Sequence, residues 1–318
     1  MIGLEGHSGI VLDALSELPN VELTAFYDPD PKRGGKLNAR RYSSYQEMLE
    51  REQFDVVGIA GSNDERVPAI LACAARKIHI AAEKPVALTR ADLDKVKQAV
   101  ASKGIRLTMF LPMRFYGSYS EMRRIIASGA IGEVAQTDAQ KSYKLGPRPE
   151  WMLNTKTYGG TIPYIGVHMV DLIRYTTGRD IVEAFSMQNR IGHAEMKDME
   201  NTTATVFRLD NGSVSVLHMD YLRPESAEGH GDDRLRVVGT EGIIEFQEHA
   251  GLKLIAKGGK EHEIAPLPKD RSLFADFLDS VYNGKPAGLS LDDIYRVSEI
   301  VLAARESAET GRMVRTKA

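Results

Sequence analysis

Ile78-His79-Ile80-Ala81-Ala82-Glu83-Lys84-Pro85-Val86 is an apolar run that stops at a charged pair followed by proline. Ile78–Ala82 is apolar enough to be a central strand, and Thr89-Arg90-Ala91-Asp92 opens a helix after it. Lys84 therefore stands at the C-terminal end of a strand, the edge where open α/β sheets bind ligands. An amine held there is partly desolvated, which lowers its pKa and suits it to proton transfer or to polarising a hydroxyl oxygen. For Glu-Lys-Pro taken alone, a solvated lysine in an ordinary strand–helix loop is the simpler reading. The flanking elements decide between the two.

Outward from that strand the chain alternates. Before it, Phe54–Ala60 reads as a fully buried strand, and Asn63 caps a helix carrying Val67, Ile70, Leu71 and Ala74. Earlier still, Val21–Phe26 is a strand ending at Asp28-Pro29-Asp30, and Ser44-Tyr45-Gln46-Glu47 has capping-box spacing. After it come a helix from Thr89 to Ser102 and a strand over Ile105–Phe110. Strict β-α alternation with near-continuous apolar strands predicts a doubly wound parallel sheet.

Gly6-His7-Ser8-Gly9 lies where such a sheet places a phosphate-binding turn, ahead of a helical pattern through Leu12, Leu15 and Leu18. Glycines let the backbone approach a pyrophosphate at a helix N-terminus, whose free N–H groups attract anions. The fingerprint is degraded, with Ser8 and Val11 where two glycines are expected, and a purely structural turn is the equal alternative. His7 reads as a loop residue. Asp28 lies 22 residues after Gly6, a spacing at which a carboxylate accepts hydrogen bonds from an adenosine ribose and repels a 2′-phosphate. This favours NAD over NADP, with Lys32 and Arg33 keeping NADP open; the alternative for Asp28 is a turn residue before Pro29. Met1 leaves the first strand little room, so either that strand is minimal or a few residues precede it.

The 318 residues exceed one average domain, and 42% hydrophobic with 27% charged residues is an ordinary globular composition. A net charge of −3 gives no basic field for nucleic acid or anionic membranes. The single Cys73, inside an apolar helical run, excludes a disulfide framework and reads as a core residue. With no long apolar run and no basic-then-apolar leader, the expected location is the cytoplasm.

The second half changes character. Tyr119–Ser128 reads as a helix closed by Gly129-Ala130-Ile131-Gly132, and Glu133–Tyr143 alternates as a strand. Tyr158-Gly159-Gly160-Thr161 leads into a helix from Gly166 to Thr177, stopped by Gly178. Ile181–Arg190, Thr202–Leu209, Ser213–Tyr221, Arg234–Val238 and Ile243–Phe246 alternate as antiparallel strands, with Asp210-Asn211-Gly212 a hairpin turn. Leu273–Tyr282 and Ile294–Glu309 finish as helices. Strands with segregated helices predict an α+β domain with a large open, mainly antiparallel sheet. Its uncovered face suits self-association. The expected domains are residues 1–115 and 116–318, with a return of the final helix to pack on the first domain left open.

The chain resembles the glucose–fructose oxidoreductase / inositol dehydrogenase / MocA (Gfo/Idh/MocA) family over essentially its whole length. The resemblance rests on the Gly6 turn, Asp28-Pro29-Asp30, Ser62-Asn63, Glu83-Lys84-Pro85, Arg114-Phe115 and Ser128-Gly129-Ala130-Ile131-Gly132-Glu133-Val134. Gly159-Gly160, Gly166-Val167-His168-Met169-Val170-Asp171, Gly239-Thr240-Glu241-Gly242 and Glu309-Thr310-Gly311-Arg312 follow in the family's order. It implies an N-terminal Rossmann domain, a sheet-bearing second domain with the active site between them, and hydride transfer from a sugar or polyol hydroxyl to a nicotinamide. Gly6, His7, Ser8, Gly9, Asp28, Ser62, Asn63, Glu83, Lys84 and Arg114 are then the expected cofactor contacts. Lys84 matches the family's active-site lysine and His168 its general acid/base. Without the family pattern, a lone histidine on a helix reads as a hydrogen-bonded structural residue. An imidazole suits a base near neutrality, and a neighbouring cation stabilises an alkoxide. The resemblance also implies a homodimer or homotetramer through the second-domain sheet.

One departure is informative. The family has Asp four residues before the histidine, and here Tyr164-Ile165-Gly166-Val167-His168 places Tyr164 there. Tyr164 either joins the proton relay, shapes a pocket for an unusual substrate, marks lost dehydrogenase activity, or fills the carboxylate's space. Asp171 sits one turn after His168 and could orient its ring; two such ligands alone make a poor metal site, and no metal is expected. Lys141, Lys144 and Arg148 would suit an acidic sugar or a phosphate, or form a solvated rim. Trp151 and Tyr158 could stack on a sugar ring or pack in the core. The methionines of His193–Met199 read as a loop or contact surface. The leading expectation is an NAD(P)-dependent dehydrogenase acting on a carbohydrate-like secondary hydroxyl through Lys84, His168 and Tyr164, with Lys144, Arg148 and Trp151 also at the substrate. A glycoside-cleaving or isomerising enzyme that uses NAD transiently, and a non-catalytic nucleotide sensor, are the rivals.

Overall fold

The computed structural model describes residues 1–316 and divides into two compact units. One comprises Met1–Pro112 with Ser272–Ser298, the other Met113–Arg271 with Glu299–Ala318. The first unit thus takes residues 272–298 from late in the chain in addition to the segment that ends at Pro112.

The first unit runs α1 (Gly9–Leu12), β1 (Ala25–Phe26), β2 (Arg40–Arg41), α2 (Tyr45–Arg51), β3 (Val56–Ile59), α3 (Asn63–Ala75), β4 (His79–Ala82), α4 (Arg90–Lys103) and β5 (Leu107–Met109). β3, β4 and β5 pair in parallel, with Val57 opposite Ile80 and Ile80 opposite Leu107. β1 and β2 also pair in parallel, and Ile2 bridges both Tyr27 and Ile59, so it joins the two sets. The order β2, β1, Ile2, β3, β4, β5 is the doubly wound order. Of the expected strand Val21–Phe26, only its last two residues form a ladder. The predicted caps form where a hydroxyl can reach a free N–H: Ser44 Oγ accepts from Glu47 N, and Thr89 Oγ1 from Asp92 N. At α3 the cap is Ser62, with no side-chain bond, while Asn63 is the first helical residue. Cys73 is a core residue, its thiol pushed up to about 12 mainly by burial.

The second unit adds α5 (Gly117–Ala127), β6 (Val134–Tyr143), α6 (Thr155–Tyr158), α7 (Val167–Thr177), β7 (Ile181–Asn189), β8 (Thr202–Leu209), β9 (Val214–Asp220), β10 (Gly231–Gly239), β11 (Gly242–Gln247), β12 (Gly251–Ala256) and β13 (His262–Glu263). The chain closes with α8 (Leu273–Tyr282), α9 (Leu291–Thr310) and β14 (Val314–Arg315). A nine-stranded sheet has the order β13-β12-β11-β10-β6-β9-β8-β7-β14. Only β6 and β9 pair in parallel; every other neighbouring pair is antiparallel. β12, β13 and β14 were not read from the sequence: two of them have only two residues, too short for alternation to register. Asp210-Asn211-Gly212 does connect β8 and β9, with Asn211 Oδ1 accepting from Ser213 N. α5 and α7 pack on one face of this sheet. On the other, Phe185, Val206 and Val216 stand in register across three strands. Met196 and Met199 are buried, so they pack inward and do not form a contact surface. Among the described residues no helix is long and apolar enough to cross a membrane.

Candidate active site

At the end of β4, Lys84 is 2% exposed and joins Pro85 through a cis peptide bond. The turn after β3 is tied to this segment by Arg66, which sequence reasoning missed. Its guanidinium donates to Pro85 O at 2.7 Å, Gly61 O at 2.9 Å and Asn63 Oδ1 at 2.9 Å. Asn63, predicted beside the cofactor, therefore spends its amide oxygen on this buried staple.

Glu83 is the hub of the first unit's site. Its carboxylate accepts from His7 N at 3.0 Å and lies 2.8 and 3.0 Å from His7 Nδ1, with Lys84 Nζ 3.6 Å away. Burial by itself would raise the pKa of Glu83, but the charges of His7, Lys84 and Arg66 and the His7 hydrogen bond outweigh it and hold it at about 2. Gly6 has φ +54°, and a Cβ there would stand 3.3 Å from the Glu83 carboxyl group. The tight turn begins earlier than the quartet read from the sequence. Gly3 has φ +79°, and a Cβ on it would come within 2.5 Å of Ala60 O. Ser8 closes the turn by donating its hydroxyl to Leu4 O at 3.2 Å. With no side chains at 3, 6 and 9 the main chain is bare, which close approach of a pyrophosphate requires.

Asp28 braces the same turn. Its buried carboxylate accepts from Leu4 N at 2.7 Å and Asp30 N at 2.8 Å. Arg33 pairs with Glu5 and lies 3.8 Å from Asp28 and 3.7 Å from Asp30. Arg41 stacks over the Phe26 ring and donates to Asp28 O, Asp30 O and Arg33 O, which fixes the loop carrying these charges.

In the second unit, Thr161 sets the entry to α7. Its N–H donates to Glu200 Oε2 at 3.0 Å and its hydroxyl to Glu200 O at 2.8 Å, while Arg305 donates to Gly159 O. Ile162–Gly166 then forms a π-helical turn, a device frequent at functional sites. Tyr164, on this turn, stands 5.1 Å from the Tyr158 ring and 6.0 Å from Trp151. Tyr158 itself is fully buried, its hydroxyl near Thr161 and Tyr221, so it belongs to the core. His168 is buried in the first turn of α7.

Asp171, one turn on, meets Arg114 in a buried bidentate pair, with Arg114 Nε 3.0 Å from Oδ2 and Nη2 on Oδ1. Both of its oxygens thus face a guanidinium, and Arg114, expected at the cofactor, is placed in this pair. Lys141 is buried against Asp233 at 2.5 Å, Lys144 donates to Glu225 O at 2.8 Å, and Arg148 stacks over Tyr221. Among the described residues no group of His, Cys, Asp and Glu could hold a metal ion.

Two family models match the chain: the oxidoreductase family with an NAD-binding Rossmann fold over residues 1–111, and the GFO/IDH/MocA C-terminal domain over 119–245. The chain belongs to the Gfo/Idh/MocA family. A solved Thermotoga maritima structure, described as an oxidoreductase, is 32% identical, with a TM-score of 0.93 covering 99% of this chain and 98% of that one. Myo-inositol 2-dehydrogenase of Thermotoga maritima is 24% identical over 290 residues, 87% of this chain and 84% of that protein. Trans-1,2-dihydrobenzene-1,2-diol dehydrogenase of Mus musculus is 22% identical over 227 residues, 71% of this chain and 65% of that protein. This Gfo/Idh/MocA member is accordingly an NAD-binding oxidoreductase.

Proposed function

We propose that this enzyme oxidises a secondary hydroxyl of a neutral cyclic polyol or sugar, with Lys84 holding the substrate oxygen and His168 receiving its proton. The observation that carries this reading is Lys84 itself, a buried amine at a strand end beside a carboxylate held ionised. An ammonium there donates to the hydroxyl and stabilises the alkoxide as it forms. An imidazole is the side chain suited to take that proton near neutral pH. Tyr164 brings no charge at neutral pH; with Trp151 it supplies an aromatic wall suited to the C–H face of a six-membered ring.

Bound NAD supplies the hydride acceptor. We assign its binding to the turn Gly3–Gly9, Asp28 and the segments at Ser62-Asn63, Glu83-Lys84 and Arg114. Arg33 supports NAD over NADP, because a 2′-phosphate beside it would meet Glu5, Asp28 and Asp30 as well. A neutral substrate is favoured over an acidic one because the charge of buried Lys141 is already paired with Asp233. The two curated relatives are named for six-membered rings carrying adjacent hydroxyls.

The test is NADH formation across inositols, cyclic diols, sugars and sugar acids. Turnover with neutral cyclic polyols is expected; NAD binding without turnover on any of them would sink the reading. Substrate consumption without NADH accumulation would point to cleavage or isomerisation. We further place the enzyme in the cytoplasm and propose a homodimer or homotetramer through the sheet face of Phe185, Val206 and Val216. Val206→Glu should lower the mass measured by light scattering.

A further inference from the structure

His7 came out of the sequence as a loop residue, yet in the fold it touches Glu83, 76 positions away, through two separate atoms. We infer that His7 is a positioning residue for Lys84: it grips the Glu83 carboxylate from the glycine turn and so fixes where the Lys84 ammonium stands. The inference rests on the role given to Lys84 above.

Glu83 is 3% exposed and ionised, so the nitrogen facing it at 2.8 Å, His7 Nδ1, carries the proton and donates. The backbone N–H of His7 donates to the other carboxylate oxygen. Together the two contacts chelate the carboxylate and orient it. The chain makes room for this contact, since a side chain at residue 6 would press on the same carboxyl group. Arg66 is the third charge acting on Glu83, and its own bonds run to Asn63, Gly61 and Pro85. His7 and Lys84 both act on the carboxylate at close range. Lys84 Nζ stands 3.6 Å from Oε1, outside hydrogen-bond contact. Without the imidazole, the carboxylate would draw the ammonium in and move it off the position from which it meets substrate. The His7 side chain is 39% exposed, so replacing it leaves no core cavity.

The experiment uses the full chain without NAD, labelled with carbon-13 at lysine Cε, the Lys84 resonance being assigned with Lys84→Arg. In His7→Ala the titration midpoint of Lys84 should rise, because the whole carboxylate then acts on the ammonium. His7→Asn should return it toward wild type, because a carboxamide N–H can donate where Nδ1–H does. With a turned-over polyol at saturating NAD, His7→Ala should lower kcat about ten-fold, the scale of a small misplacement, and His7→Asn should recover most of it. Unchanged midpoints in all variants overturn the inference. So does a His7→Ala enzyme with normal kcat and weakened NAD binding, which would make His7 a cofactor-turn residue only. If wild type turns over no polyol, the proposed function fails while the titration still decides the role of His7.

Discussion

The turn after β4 carries Lys84 and the turn before α7 carries Tyr164, in very different surroundings. Around Lys84 lie Glu83, His7 and Arg66, and the charges of His7, Lys84 and Arg66 hold the buried Glu83 carboxylate ionised. Around Tyr164 lie the rings of Trp151 and Tyr158, and the turn is set by hydrogen bonds from Thr161 to Glu200. A site held by charge responds to protonation and to the loss of a single partner. A site held by packing responds to volume and tolerates loss of one hydroxyl. The family pattern expects a carboxylate where Tyr164 stands, and this chain places an uncharged ring there.

The comparison breaks most easily at Lys84. Lys84→Ala should cut kcat/KM roughly 10²–10³-fold, or ~3–4 kcal/mol of barrier, as loss of a preorganised oxyanion donor does; steady-state NADH formation reads it. A retained rate would mean charge at this turn is scenery. Next in size is the Arg114–Asp171 pair near His168. Asp171→Asn leaves a buried guanidinium poorly matched and should cost about 4 kcal/mol of stability by urea denaturation, with Arg114→Met in the same chain restoring much of it.

Glu83 should contribute about 3 kcal/mol, from a pKa of about 2 in the fold against 4.5 free. The sign is that of a depressed acid: the contribution is complete above pH 4.5 and disappears as pH falls toward 2. Glu83→Gln should therefore lose stability at neutral pH and show a flatter acid limb in thermal melts between those values. The smallest effect belongs to the aromatic turn. Tyr164→Phe should change kcat/KM by less than about threefold, ~0.6 kcal/mol, while Tyr164→Ala should cost about tenfold through the lost ring. Equal losses in the two variants would put the hydroxyl in the chemistry and erase the contrast.

The legible parts of the molecule were local. A continuous apolar run ending in Glu-Lys-Pro is enough to place Lys84 at a strand end, and Ser44 and Thr89 cap their helices as their spacing predicts. The glycine turn was found but mis-started, because the need for Gly3 comes from Ala60 O on another strand. Arg66 and Glu200 were invisible for the same reason. Their partners lie 19 and 39 positions away, and nothing in a helix or loop pattern announces them. Asp171 was read only as a neighbour of His168 one helical turn away, and its bidentate pair with Arg114, 57 positions off, was not foreseen.

Periodicity by itself determined the parallel sheet, the mainly antiparallel second sheet and the strand end that carries Lys84, because burial of an alternating or continuous apolar face is a property of neighbouring residues. Tertiary structure alone decided which charges meet. Whether Glu83 is ionised, whether His7 is a loop residue or its anchor, and whether Tyr164 stands among carboxylates or among rings are set by contacts between distant segments. Electrostatic energy depends on those distances and on desolvation, and sequence spacing specifies neither.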